Sequence, residues 1–178
     1  MLVILYFQTI YNLTLMRRLF LLACLLFMLG EVSELPDEIL DDRFNNLLPE
    51  LMDTSGLDMW VVISREYNED PVIKTMLPAT WLNARRRTIL LFYRNKEKNT
   101  IEKLAVARYN VGKNIVSAWD KEQEPDQWKR LVQLISERNP NKIGLNFSKD
   151  HNIADGLVKT DYEEFMENLP KKYTSKVV

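Results

Sequence analysis

Apolar positions change their period along the chain, and each change marks a new element. From Leu35, the residues Leu40, Phe44, Leu47, Leu48 and Leu51 follow the i, i+4, i+7, i+8, i+11 spacing of one helical face. Pro49 is expected to kink or restart this helix, and Gly56 to end it. Residues 58–64 then form a β-branched and aromatic run, Met59-Trp60-Val61-Val62-Ile63 at its heart, suited to a buried strand. Residues 65–71 are polar and end in proline, which reads as a loop leaving the strand's C-terminal end.

Residues 88–93 give a second buried strand, 94–99 a charged turn, 104–109 its hairpin partner and 115–119 a short edge segment. Pro125 at the first helical position opens a helix whose apolar face is Trp128, Leu131, Val132 and Ile135, ended by Asn139-Pro140. Residues 142–147 return as a strand. Thr160 and Glu163 have the spacing of a capping box, and Tyr162, Phe165, Met166 and Leu169 share one face of the helix behind it. The order helix, strand, loop, strand, strand, helix, strand, helix predicts an α/β domain with a mixed sheet and helices on its faces.

Ahead of this domain lies an apolar leader, residues 1–30, broken by Arg17 and Arg18. From Met16 onward it has the charged start, apolar run and polar exit of an export signal, with residues 1–15 as an upstream extension. The chain is thus expected to be exported to the periplasm or secreted. A retained membrane anchor over residues 16–30 is the alternative, because Leu29-Gly30-Glu31 is a poor cleavage site. Leu21-Leu22-Ala23-Cys24 also resembles a lipoprotein box, which would lipidate Cys24 within that anchored reading.

Beyond the leader, 22 Lys+Arg stand against 25 Asp+Glu, a slightly acidic balance that argues against nucleic acid as a partner. Cys24 is the only cysteine, so the domain from residue 35 has no disulfide, no thiolate nucleophile and no cysteine zinc site. The five glycines, at positions 30, 56, 112, 144 and 156, are too scattered for a phosphate-cradling loop or a dinucleotide fingerprint. His151 is the only histidine and follows Asp150. As a general base oriented by that carboxylate it would need a nucleophile, and none is recognisable nearby. The carboxylate pairs Asp37/Glu38, Asp41/Asp42 and Glu163/Glu164 diverge around helices and read as solvated surface. Asn146-Phe147-Ser148 matches the N-glycosylation pattern, which has meaning only in a eukaryotic secretory pathway.

Two stretches point to binding. Residues 65–70 are six consecutive polar residues at the C-terminal end of a buried strand, where open α/β sheets place binding loops. Residues 81–87, Trp-Leu-Asn-Ala-Arg-Arg-Arg, bring three guanidinium forks and an indole to the start of the next strand, a pairing frequent at interfaces.

These same stretches, with Leu51-Met52, Gly56-Leu57, Ile143-Gly144-Leu145-Asn146, Asp155-Gly156-Leu157 and Leu169-Pro170 in order, resemble the N-terminal domain of exported Xaa-Pro aminopeptidase-like proteins. These belong to the creatinase/prolidase family of pita-bread metallopeptidases. The resemblance covers nearly all of residues 35–178 and implies a ribonuclease H-like α/β fold. It further implies a non-catalytic domain that precedes a hydrolase domain holding two divalent metal ions, with Val178 falling about where the connection would start. The partners implied are that catalytic domain, a second subunit of a homodimer and, in the full-length context, proline-containing peptides. No catalytic, cofactor-binding or metal-ligating residue of the family has a counterpart here. A role in dimerisation and active-site access would fall on Arg65, Glu66, Asn68, Trp81, Asn83 and Arg85. Arg85 is the one expected to hold a substrate carboxylate or an acidic surface. The alternative is a stand-alone exported binding protein of the same fold without enzymatic activity; an independent hydrolase built on Asp150/His151 is a third reading.

Overall fold

A computed structural model describes residues 37–178; the leader, with Arg17, Arg18 and Cys24, and the first residues of the expected helix lie outside the described residues. Helical backbone over 37–42 widens into a π-helical segment, Arg43–Leu47, and tightens again as α1, Leu48–Ser55. Pro49 explains the widening, because it has no N–H to donate and its ring crowds the carbonyl four residues back. The wider turn also shifts the phase of the helix. Leu40, Phe44, Leu48 and Met52 point inward at a steady spacing of four, while Leu47 and Leu51, expected on the buried face, are about half exposed at 46% and 52%. Gly56 closes α1 with φ 66°, the left-handed backbone that glycine adopts without a Cβ clash.

The sheet consists of β1 (Met59–Arg65), β2 (Arg87–Asn95), β3 (Thr100–Val106), β4 (Val116–Ser117) and β5 (Ile143–Leu145). Their spatial order is β4-β3-β2-β1-β5. β1 runs antiparallel to β2 and parallel to β5; β2 and β3 are an antiparallel hairpin, and β4 lies parallel to β3. Outside β5, Val177 adds one parallel bridge to Ile143. The helices are α2 (Pro71–Lys74), α3 (Gln127–Arg138), α4 (Lys159–Asn168) and α5 (Lys171–Thr174). The domain is therefore α/β, with a mixed five-stranded sheet flanked by helices.

Strand alternation divides the core between the two faces of the sheet. Met59, Val61, Ile63, Ile89 and Leu91 face Leu131, Ile135, Phe165 and Tyr173 of α3, α4 and α5. Val62, Leu90, Phe92 and Ala105 face Phe44, Leu48, Met52, Ile73 and Ile115. Both faces are covered, which is why β1 and β2 read as unbroken apolar runs rather than alternating ones.

Two helix starts differ from expectation. Asp126 caps α3, so Pro125 precedes the cap instead of taking the first helical position; the Asp126 carboxylate accepts from Trp128 N–H and Lys129 N–H at 2.9 and 3.2 Å. At α4 no capping box forms: the cap position is Val158, with extended backbone and no side-chain acceptor. Thr160 lies within the first turn, and Glu163 pairs instead with Lys159 at 3.4 Å. The carboxylate that matters in that turn is Asp161, which turns inward.

Candidate functional site

β1 ends at Arg65 and β2 begins at Arg87, and the antiparallel register sets these two arginines side by side. Two neighbouring guanidiniums repel unless an acid lies between them. Asp161, fully buried in the first turn of α4, takes that place. It accepts from Arg65 Nε and Nη2 at 2.9 and 2.7 Å and from Arg87 Nη1 at 3.1 Å. This bidentate contact raises the Arg65 pKa above its usual value.

Arg87 is held further by Glu164 at 2.8 Å and Gln127 at 2.9 Å, and its guanidinium lies 4.3 Å over the Trp128 ring. Glu164 also accepts from Trp128 Nε1 at 2.6 Å; this hydrogen bond, then that from Arg87, lowers its pKa. The network fastens α3 and α4 to the end of the sheet. Glu164 is thus a structural partner rather than free surface.

Immediately outside, Glu66 and Thr88 fix the backbone that presents Arg85. The Glu66 carboxylate accepts from Arg86 N–H at 2.9 Å, and Arg86 sits at φ 53°, a left-handed conformation uncommon for an arginine. The Thr88 hydroxyl accepts from Arg85 N–H at 3.1 Å and donates to Arg85 C=O at 3.2 Å. Thus anchored, Arg85 lays its guanidinium 4.3 Å over the Trp81 ring, with Tyr109 5.7 Å away.

These residues line an open cavity of about 780 Å³, completed by Arg108, Trp119 and Lys121. Four of the six sequence candidates, Arg65, Glu66, Trp81 and Arg85, converge on it. Arg65 does so as a paired group held by Asp161. Asn68 and Asn83 are exposed and do not line it. Sequence reasoning passed over Arg108, Tyr109, Trp119 and Lys121. The only signal was a second arginine beside an aromatic residue, Arg108-Tyr109, just past a strand end.

The polar loop after β1 is also less free than its composition suggests. Asp70, fully buried, accepts from Val72 N–H and Ile73 N–H at 2.6 and 3.2 Å, capping α2, and from Asn146 Nδ2 at 3.0 Å. Asn146 Oδ1 accepts from Ile63 N–H and Nδ2 donates to Ile63 C=O, both at 2.9 Å. A side-chain amide thereby continues the β1–β5 ladder one step. Gly156 packs against Asp70 so closely that a Cβ there would lie 2.1 Å from Oδ2.

The cavity lining contains no serine, cysteine or histidine, and its one hydroxyl beside Tyr109, that of Thr88, is committed to the Arg85 backbone. His151 lies exposed in the loop after β5, its N–H donating to Ser148 Oγ at 3.1 Å. Among the described residues no three His, Cys, Asp or Glu side chains group closely enough to hold a metal ion. No helix of the described residues is long and apolar enough to cross a membrane. The groups that face the cavity are guanidiniums, an ammonium and aromatic rings, which suit anionic and flat groups. No family model matches the chain, and neither curated proteins nor solved structures give a match.

Proposed function

We propose that this is the non-catalytic N-terminal domain of an exported Xaa-Pro aminopeptidase-like metallopeptidase of the creatinase/prolidase family, with a ribonuclease H-like fold. The observation that carries the reading is the strand order. β1 lies inside the sheet, with antiparallel β2, then β3 and β4, on one side and parallel β5, then Val177, on the other. A sheet of this kind is what the resemblance implies for the domain.

In this reading the two divalent metal ions and the hydrolytic residues belong to a second domain. The cavity beside Arg85 and Trp81 borders the substrate entrance, and the residues at it narrow access. The exposed Leu47 and Leu51, which with Trp60 and Val72 line an apolar groove of about 270 Å³, support a role in dimerisation.

Arg85→Ala in a two-domain relative tests the reading. Lower kcat/KM or a weakened dimer is the expected outcome; if both are unchanged, the assignment fails. This chain alone, supplied with divalent metal and an Xaa-Pro peptide, is expected to show no turnover above background. The alternative is a stand-alone exported binding protein of the same fold without enzymatic activity. A reading frame that continues beyond Val178 into a metal-binding domain supports the first reading, and a stop codon there supports the second.

A further inference from the structure

We propose that the cavity at the joined ends of β1 and β2 binds an acidic peptide segment, with Arg85, Arg108 and Lys121 meeting its carboxylates and Trp81, Tyr109 and Trp119 its apolar side chains. The charge balance of the lining leads to this. Six cations and one acid line the cavity, in a chain whose net charge is −1. Arg65 and Arg87 are neutralised by Asp161 and Glu164, and the single acid, Glu66, holds a backbone N–H. Arg85, Arg86, Arg108 and Lys121 form no ion pair among the described residues, and cations clustered in this way raise the local potential toward an anion.

The site is also preorganised. Arg85 is flattened on Trp81 and its backbone is held by Thr88 and Glu66, with Arg86 kept at a positive φ. Strained backbone of this kind persists where its surroundings dictate it. A guanidinium already ordered by stacking loses little entropy when its remaining N–H groups take a carboxylate. Trp119 is fixed in the same manner, its Nε1 donating to Glu124 C=O at 2.7 Å.

The α3 helix, whose first residue Gln127 lines the cavity, has its Trp128 and Lys129 N–H groups capped by Asp126, so its N-terminus adds no phosphate cradle. An adjoining cavity of about 580 Å³ shares Arg108, Tyr109, Trp119 and Lys121 but adds Asp120 and Glu122. Those acids repel a negative segment on that side and direct its charge toward Arg85. The inference holds whether or not the domain serves a peptidase.

The test uses the full chain and a fluorescent, end-blocked peptide of alternating Glu and Tyr, read by anisotropy. The expected result is binding that weakens as ionic strength rises and that falls at least roughly tenfold when Gln replaces Glu. Arg85→Ala and Arg108→Ala should each weaken it by roughly tenfold with an unchanged melting temperature, while Lys149→Ala, outside the cavity, leaves it intact. Equal binding of the Gln peptide, or no effect of the two arginine variants, overturns the proposal. So does displacement of the peptide by pyrophosphate or a single-stranded oligonucleotide at concentrations where unlabelled Glu-Tyr peptide does not compete.

Discussion

Arg85 and Arg87 are two residues apart, and the fold uses them in opposite ways. Arg87, at the first position of β2, points to the side where α3 and α4 pack and is enclosed by Asp161, Glu164, Gln127 and the Trp128 ring. Arg85, before the strand begins, has an aromatic ring beneath it and forms no ion pair among the described residues. One arginine holds the domain together and the other remains available to a ligand. The difference arises from the partners that tertiary packing supplies, since the residue type and charge are the same.

The comparison can be broken most forcefully at its centre. Asp161→Ala leaves Arg65 without an acid and Arg87 with Glu164 alone, and should destabilise the domain by about 3 kcal/mol in urea unfolding. Arg87→Ala removes one partner of the same network and should cost about 2 kcal/mol, read as a shift of the urea midpoint without a change of slope.

A gentler probe is pH. The Trp128 and Arg87 contacts hold the Glu164 carboxyl below its usual 4.5. Its contribution to stability is therefore complete above that value and is lost as pH falls through the lower, folded-state pKa. Glu164→Gln should make the acid limb of the stability profile shallower and leave its shape near neutrality unchanged. The smallest effect belongs to Arg85→Ala, which should alter stability by no more than about 0.5 kcal/mol while weakening peptide binding. A large loss of stability there would erase the distinction between the two arginines.

Much of the fold was legible because its strongest signals are local. The runs around Val61 and Leu90 could only be buried strands, and Gly56 and Asn139-Pro140 could only be stops. Local reasoning failed where a distant partner decides the outcome. A constant turn would place Leu47 and Leu51 inward, and one π-helical segment before Pro49 rotates them outward. Thr160 and Glu163 had the right spacing for a cap, but the helix begins earlier and its inward acid is Asp161, whose partners lie 74 and 96 residues away in sequence.

The candidate site shows the same split. Trp81 and Arg85 were visible because they are neighbours in sequence. Arg108, Tyr109, Trp119 and Lys121 join them only through strand pairing, and no spacing along the chain announces that.

The side chain of Asn146 carries one consequence into biosynthesis. Its nitrogen, the atom to which a glycan would be attached, is enclosed in the native domain and donates to both Ile63 and Asp70. An oligosaccharyltransferase could therefore reach this sequon only on a chain that had not yet folded, and a sugar installed there would bar the native ladder from closing. If the gene is expressed through a eukaryotic secretory pathway, folding and glycosylation compete for the same nitrogen. The fraction of glycosylated product then serves as a clock for how quickly β1 and β5 come together.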